Sequence, residues 1–418
     1  MPSNGLKRLF GAAVAAMALS GAPAFAQKEI TVGFQSDRVG LTQTICAVIC
    51  PAFHDYMALV NSKGGVEGYK IKVLEIDTEY KVPQGVEAYE RMKKEGAVAV
   101  ALYGTAIVAA LTQRLNDDKI PGTAPGFGNA VAADGKRYPY LIPMAAGYWS
   151  QAAGGVQFAK QTLGGSLKGK KLGYLYIDNP AGREPLPILE ALAKIEGFEL
   201  KTFAVPAPGL ELGAQVLDIA QRYRADFVMA HLFGRSPSVA IKEFKRVGYP
   251  LSKVLGFVWS AAEADVEAAG GFGVAEGYYT VQFAGVGQDY PVRAEIADMY
   301  KKQGKPVPRE LASTVYYNRG IVWAAAHVEA IRNAVKAKAG GMPTSEDVKK
   351  GFETINANSL AAVGGISPPL EITAEDHEGG GWVQIFQVKG GKFVKASEWM
   401  QAYRDVVKKH LEADAKRN

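Results

Sequence analysis

Two cysteines and five histidines are the residues of this 418-residue sequence best suited to metal or nucleophilic chemistry, and their spacing argues against both. His54, His231, His327, His377 and His410 are scattered, and no pair stands at the spacing that puts two ligands on one metal. Cys46 and Cys50 have only His54 beside them, too few ligands for a metal site. Nor are they the Cys-x-x-Cys pair of redox catalysts. Residues four apart on a helix have Cα atoms about 6 Å apart, within disulfide reach. A Cys46–Cys50 bond is therefore expected in an oxidising compartment, and two buried thiols are the other reading. Gly126-Phe127-Gly128 has Val131 where a dinucleotide fingerprint needs its third glycine, and Gly271-Phe272-Gly273 has Glu276 there. There is no phosphate-binding loop, no Gly-x-Ser-x-Gly elbow and no His-Glu-x-x-His. The expectation is a protein that is not an enzyme, with no cofactor and no metal.

What remains is recognition, and the composition limits its kind. The 48 Lys+Arg exceed the 42 Asp+Glu by six. Two of the positive charges, Lys7 and Arg8, precede an apolar run from Leu9 to Leu19, the breakers Ser20, Gly21 and Pro23, and then Ala24-Phe25-Ala26. That is the layout of a secretory signal peptide, too short in its apolar part to span a bilayer. Residues 1–26 are expected to be removed, leaving a periplasmic chain that starts near Gln27 with a net charge of +4. So diffuse an excess does not make a nucleic-acid binder. A hydrophobic content of 48% and a charged content of 22% are globular values, and the length suits two domains.

The elements alternate. Ile30, Val32 and Phe34 share one side of a strand, and a helix over 45–63 stops at Gly64-Gly65. Strands at 69–76, 97–103 and 120–124 are separated by helices at 84–95 and 107–119. The cadence restarts after Trp149 with strands at 171–177, 199–205, 225–232 and 253–259. Lys389-Gly390-Gly391 reads as a hairpin turn near the end. The expected fold is α/β, with two doubly wound parallel-sheet lobes. In such sheets ligands lie beyond the carboxyl ends of strands, where helix N-termini offer free N–H groups.

With these elements in place, the chain resembles the periplasmic solute-binding proteins of the leucine/isoleucine/valine type. The most specific carrier is Asn61-Ser62-Lys63-Gly64-Gly65-Val66-Glu67-Gly68-Tyr69-Lys70-Ile71, similar to that family's N-x-x-G-G-[IV]-x-G-x-x-[IV] signature. Ile30–Phe34, Asp77, Lys119-Ile120-Pro121, Gly248-Tyr249, Ala275–Tyr278 and Gln387–Phe393 follow in the family's order. The resemblance covers essentially the whole mature chain. It implies lobes over 27–146 with 281–358 and over 147–280 with 359–418, joined by three crossovers, with ligand between them. It also implies a membrane permease of an ABC importer as partner. A monomer is expected.

Strand ends and the resemblance together nominate the site. Tyr103, Gly104 and Thr105 follow one strand, and Thr105 resembles the family's hydroxyl that binds a ligand carboxylate. Gly126, Phe127 and Gly128 follow the next, where the family offers backbone groups. Tyr148 and Trp149 lie at the first crossover; His231, Phe233, Trp259 and Ser260 come from the second lobe. Amino-acid binders of the family hold the ligand ammonium with an acid at about the position of Ser260, and no carboxylate stands there. Aromatic walls with an anion site suit a flat organic acid such as a benzoate or cinnamate, with an amino acid as the alternative.

Overall fold

The computed structural model describes residues 28–416. The expected signal peptide at 1–26 lies outside the described residues. The chain builds two sheets. The first takes β1 (Glu29–Ser36), β2 (Lys70–Asp77), β3 (Ala99–Ala101), β4 (Gly122–Thr123) and β5 (Leu141–Ile142) in the order β2-β1-β3-β4-β5, all parallel. The second takes β6 (Lys171–Ile177), β7 (Glu199–Val205), β8 (Phe227–His231), β9 (Val254–Gly256) and β10 (Tyr279–Gln282), then the hairpin β11 (Gln384–Lys389) and β12 (Lys392–Lys395). Its order is β12-β11-β10-β9-β8-β6-β7, with only β11 and β12 antiparallel to their neighbours.

The helix Gln43–Ser62 is, among the described residues, the one long and apolar enough to cross a membrane. Its apolarity has another cause here. Ile45, Ile49, Ala52, Phe53 and Met57 are buried, and the helix packs along Tyr316–Ala337, itself buried over most of its length. Gly320 makes the close approach possible, because a Cβ there would stand 2.5 Å from the Ile49 carbonyl oxygen. The helix holds the expected disulfide, Cys46–Cys50, with its Cα atoms 5.0 Å apart.

Two expected strands are shorter than the apolar runs that announced them. The 97–103 run forms a ladder only over Ala99–Ala101, pairing with β1 over three residues and with β4 over two. Tyr103 is thereby released from the sheet toward the other half of the molecule. The 253–259 run stops at Gly256 and continues as a tight 3₁₀ turn, Val258–Ser260, which re-aims Trp259. Between β7 and β8 the chain is α-helical at Gly213–Leu217 and wound more widely at Asp218–Tyr223. The short β5 and the helix Ser345–Phe352 were not expected from periodicity; the latter starts at Thr344, whose hydroxyl and the Asp347 carboxylate cap each other's backbone.

Candidate functional site

The carboxyl ends of both sheets face one small cavity of about 30 Å³. From the first sheet's side come Tyr80, which follows β2, and Tyr103 and Gly104, which follow β3. Phe127 follows β4. Thr42, Ile45 and Ile49 line it from the start of the long apolar helix, and Trp323 from the helix Tyr316–Ala337. The second half supplies Tyr148, Phe233 and Trp259. The walls are rings and methyl groups, and not one lining side chain is charged.

The polar groups form an arc. The Thr42 hydroxyl donates to Asp37 at 2.6 Å and meets the Tyr103 phenol. Tyr148 reaches Thr105 and Trp259, and Tyr80 reaches the Thr105 backbone. Burial pushes all three phenols above their ordinary range, so each keeps its proton and can donate to an anion. Asp37, though fully buried, is committed to Gly40 N–H, Thr42 N–H and the Thr42 hydroxyl.

Contacts cross between the halves. The Trp259 indole donates to the Gly126 carbonyl at 3.1 Å, and that oxygen also takes the Gln151 amide at 3.0 Å. The Ala130 N–H donates to Glu184 at 2.6 Å. The Leu41 carbonyl oxygen lies 2.5 Å from where a Cβ on Gly234 would stand. The two halves are thus in direct contact around the cavity.

The nominated residues divide. Tyr103, Gly104, Phe127, Tyr148, Phe233 and Trp259 lie on the cavity wall. Thr105 stands at the helix start beside it, accepting from Gly128 N–H at 3.4 Å. Gly126 and Gly128 therefore spend a carbonyl and an amide inside the protein. Trp149 turns its indole to the Glu184 carbonyl at 2.9 Å and its ring toward His410. His231 lies behind the wall, 3.0 Å from the Tyr174 hydroxyl and with its ring 4.3 Å from that of Tyr148. Burial lowers it to about 3, so it is neutral. The Ser260 hydroxyl ties β8 to the following turn, donating to the Leu232 carbonyl at 2.6 Å and accepting from its N–H at 3.0 Å. Glu263 and Asp265 sit in the first turn of the helix Glu263–Ala268; Glu263 accepts from Ser313 and Thr314. Thr42, Ile45, Ile49, Tyr80 and Trp323 escaped the sequence reading. Tyr80 alone carried a signal, three residues past the end of β2.

No group of three or more metal-ligating side chains occurs among the described residues.

Comparison with known proteins agrees with this architecture. The family profile described as periplasmic binding protein matches residues 29–392. A crystal structure described as an ABC transporter permease from the Pseudomonas fluorescens group is 32% identical, with a TM-score of 0.83 over 94% of this chain and 97% of that one. A branched-chain amino acid ABC transporter protein from Thermus thermophilus, with bound valine, has a TM-score of 0.79 at 21% identity, covering 92% and 99%. A fatty acid ABC transporter substrate-binding protein from Thermomonospora curvata has 0.74 at 21%, covering 91% and 94%. No curated protein matches the chain. Two parallel sheets facing a shared cleft are the type I periplasmic binding fold, and with the profile spanning almost the whole described chain, this chain belongs to the periplasmic binding protein family.

Proposed function

We propose that the protein is the exported solute-binding component of an ABC importer, which captures a small aromatic carboxylate, benzoate- or cinnamate-like, and delivers it to a membrane permease. The reading takes the lobes as 27–146 with 281–358 and 147–280 with 359–418. The observation that carries it is the cavity wall, ring-lined and without a carboxylate. A bound amino acid would bury an ammonium, which is costly without a counter-charge. Thr105 and the phenols of Tyr80 and Tyr148 suit a carboxylate instead. Capture involves no covalent step. Ligand bound to one half favours closure only through the contacts the second half adds, chiefly Tyr148, Phe233 and Trp259.

Calorimetric titration of the purified protein with benzoate, cinnamate and leucine tests the reading. Saturable binding of an aromatic acid, with none of leucine, is the expected result. Tight leucine binding with silence toward the acids overturns it.

A further inference from the structure

The cavity wall holds no cation, yet the proposed ligand is an anion. One ring behind the wall lies Arg319, fully buried near the start of the helix Tyr316–Ala337. Its Nη1 donates to the Val258 carbonyl, and its Nη2 to Gln282 and, at 3.4 Å, to the Val281 carbonyl. Its Nε has no hydrogen-bond partner. No ion pair involves it among the described residues, although Asp265 and Glu263 lie near enough to act on its charge. The guanidinium carbon lies 5.3 Å from the centre of the Trp259 ring, 4.8 Å from that of Phe283 and 5.4 Å from that of Tyr316. Trp259 is itself a wall of the cavity, and Trp323, one helical turn beyond Arg319, is another.

Two acids approach from the helix Glu263–Ala268. Asp265 accepts from the Tyr316 hydroxyl at 3.2 Å, and Glu263 is committed to Ser313 and Thr314. Burial raises the Asp265 carboxyl and lowers Arg319 only to about 10, so near neutrality the guanidinium keeps its charge.

We infer that Arg319 is the counter-charge of the ligand carboxylate, acting through the Trp259 ring rather than by contact, and that it makes the site prefer acids over their neutral isosteres. The inference rests on the reading of the cavity as a carboxylate site. In a shut cleft no water screens the pair. At the roughly 9 Å imposed by one interposed ring, and an effective dielectric near 20, the attraction amounts to about a twentyfold preference. A buried guanidinium held by carbonyls and ringed by aromatics is costly to keep. A charged ligand one ring away gives it a use that hinge packing alone does not.

The experiment titrates the full-length mature protein with benzoate, cinnamate, benzamide and cinnamamide, and follows thermal melting in parallel. The wild type is expected to favour the acids over their amides by about twentyfold. Arg319→Gln, which keeps donors for the carbonyls, and Arg319→Met are expected to lose most of that preference while amide affinity moves less than about threefold. Arg319→Lys retains it. Equal affinity for acid and amide in the wild type overturns the inference, even if neither uncharged variant folds. A parallel fall for acids and amides in the variants also overturns it, since that is the mark of a residue that only positions Trp259. If the wild type binds none of the four compounds, the aromatic-carboxylate reading itself falls.

Discussion

Gly126 meets two demands that no side chain could share. Its φ is +74°, a region L-residues rarely adopt, and a Cβ would lie 2.5 Å from the Phe283 ring. Its carbonyl takes both the Trp259 indole and the Gln151 amide. Gly126→Ala is therefore expected to destabilise the protein by about 1–3 kcal/mol in denaturant unfolding. Trp259→Phe keeps the ring and removes the donor across the cleft. Ligand affinity should fall about fivefold, the worth of one neutral hydrogen bond, with melting of the ligand-free protein nearly unchanged. An unchanged affinity would mean that the indole bond does not act in closure. Strand ends are where sequence finds such residues, which is why Tyr103, Phe127, Phe233 and Trp259 could be named beforehand. Trp323 could not: it sits mid-helix among buried alanines, and only packing decides that its ring meets the cavity.

Elements were legible where one residue type repeats and obscure where pairing partners decide. Lys171–Ile177 and Glu199–Val205 end where their sequence pattern ends, since each has a full-length neighbour. The 97–103 run does not, because its ladders with β1 and β4 cover only Ala99–Ala101, and that pairing is set by segments distant in sequence. The disulfide expectation rested on four-residue helical spacing and an oxidising compartment, and the helix Gln43–Ser62 carries the bond. That bond closes a very short loop, so the chain-entropy model gives it only about 2 kcal/mol. A Cys46→Ser, Cys50→Ser double variant should lose about that much in denaturant unfolding and still bind ligand. A loss above roughly 5 kcal/mol would place more than chain entropy in the bond. Ile45 and Ile49 flank these cysteines on the cavity wall, so any change in affinity would report movement of that turn.

At the scale of the whole molecule, buried titratable groups set opposing limits on stability. His231 and His327 are lowered by burial to about 3 and about 4, so the unfolded chain binds more protons below pH 6.5 and stability falls with acid. Asp265 is raised to about 7, so its effect has the reverse sign: its contribution is present below the ordinary carboxylate range and is lost as pH rises through 7. Melting of Asp265→Asn should gain on the wild type steadily between pH 4 and 8, whatever the offset between them at pH 4. Parallel curves would show that Asp265 titrates normally. The two-lobed architecture was visible in the cadence of strands and helices; the identity of the buried charges between the lobes was not. Arg319 carries no local pattern, since its neighbours belong to Val258, Val281 and Asp265, remote in sequence.

The pairing of Gln43–Ser62 with Tyr316–Ala337 has a temporal consequence. A nascent or translocating chain delivers the earlier helix more than 250 residues before its companion. Through that interval the helix and the first sheet, whose strands are all present by Ile142, lack the cover that Tyr316–Ala337 provides. A truncation before residue 337 should therefore precipitate rather than yield an independent lobe.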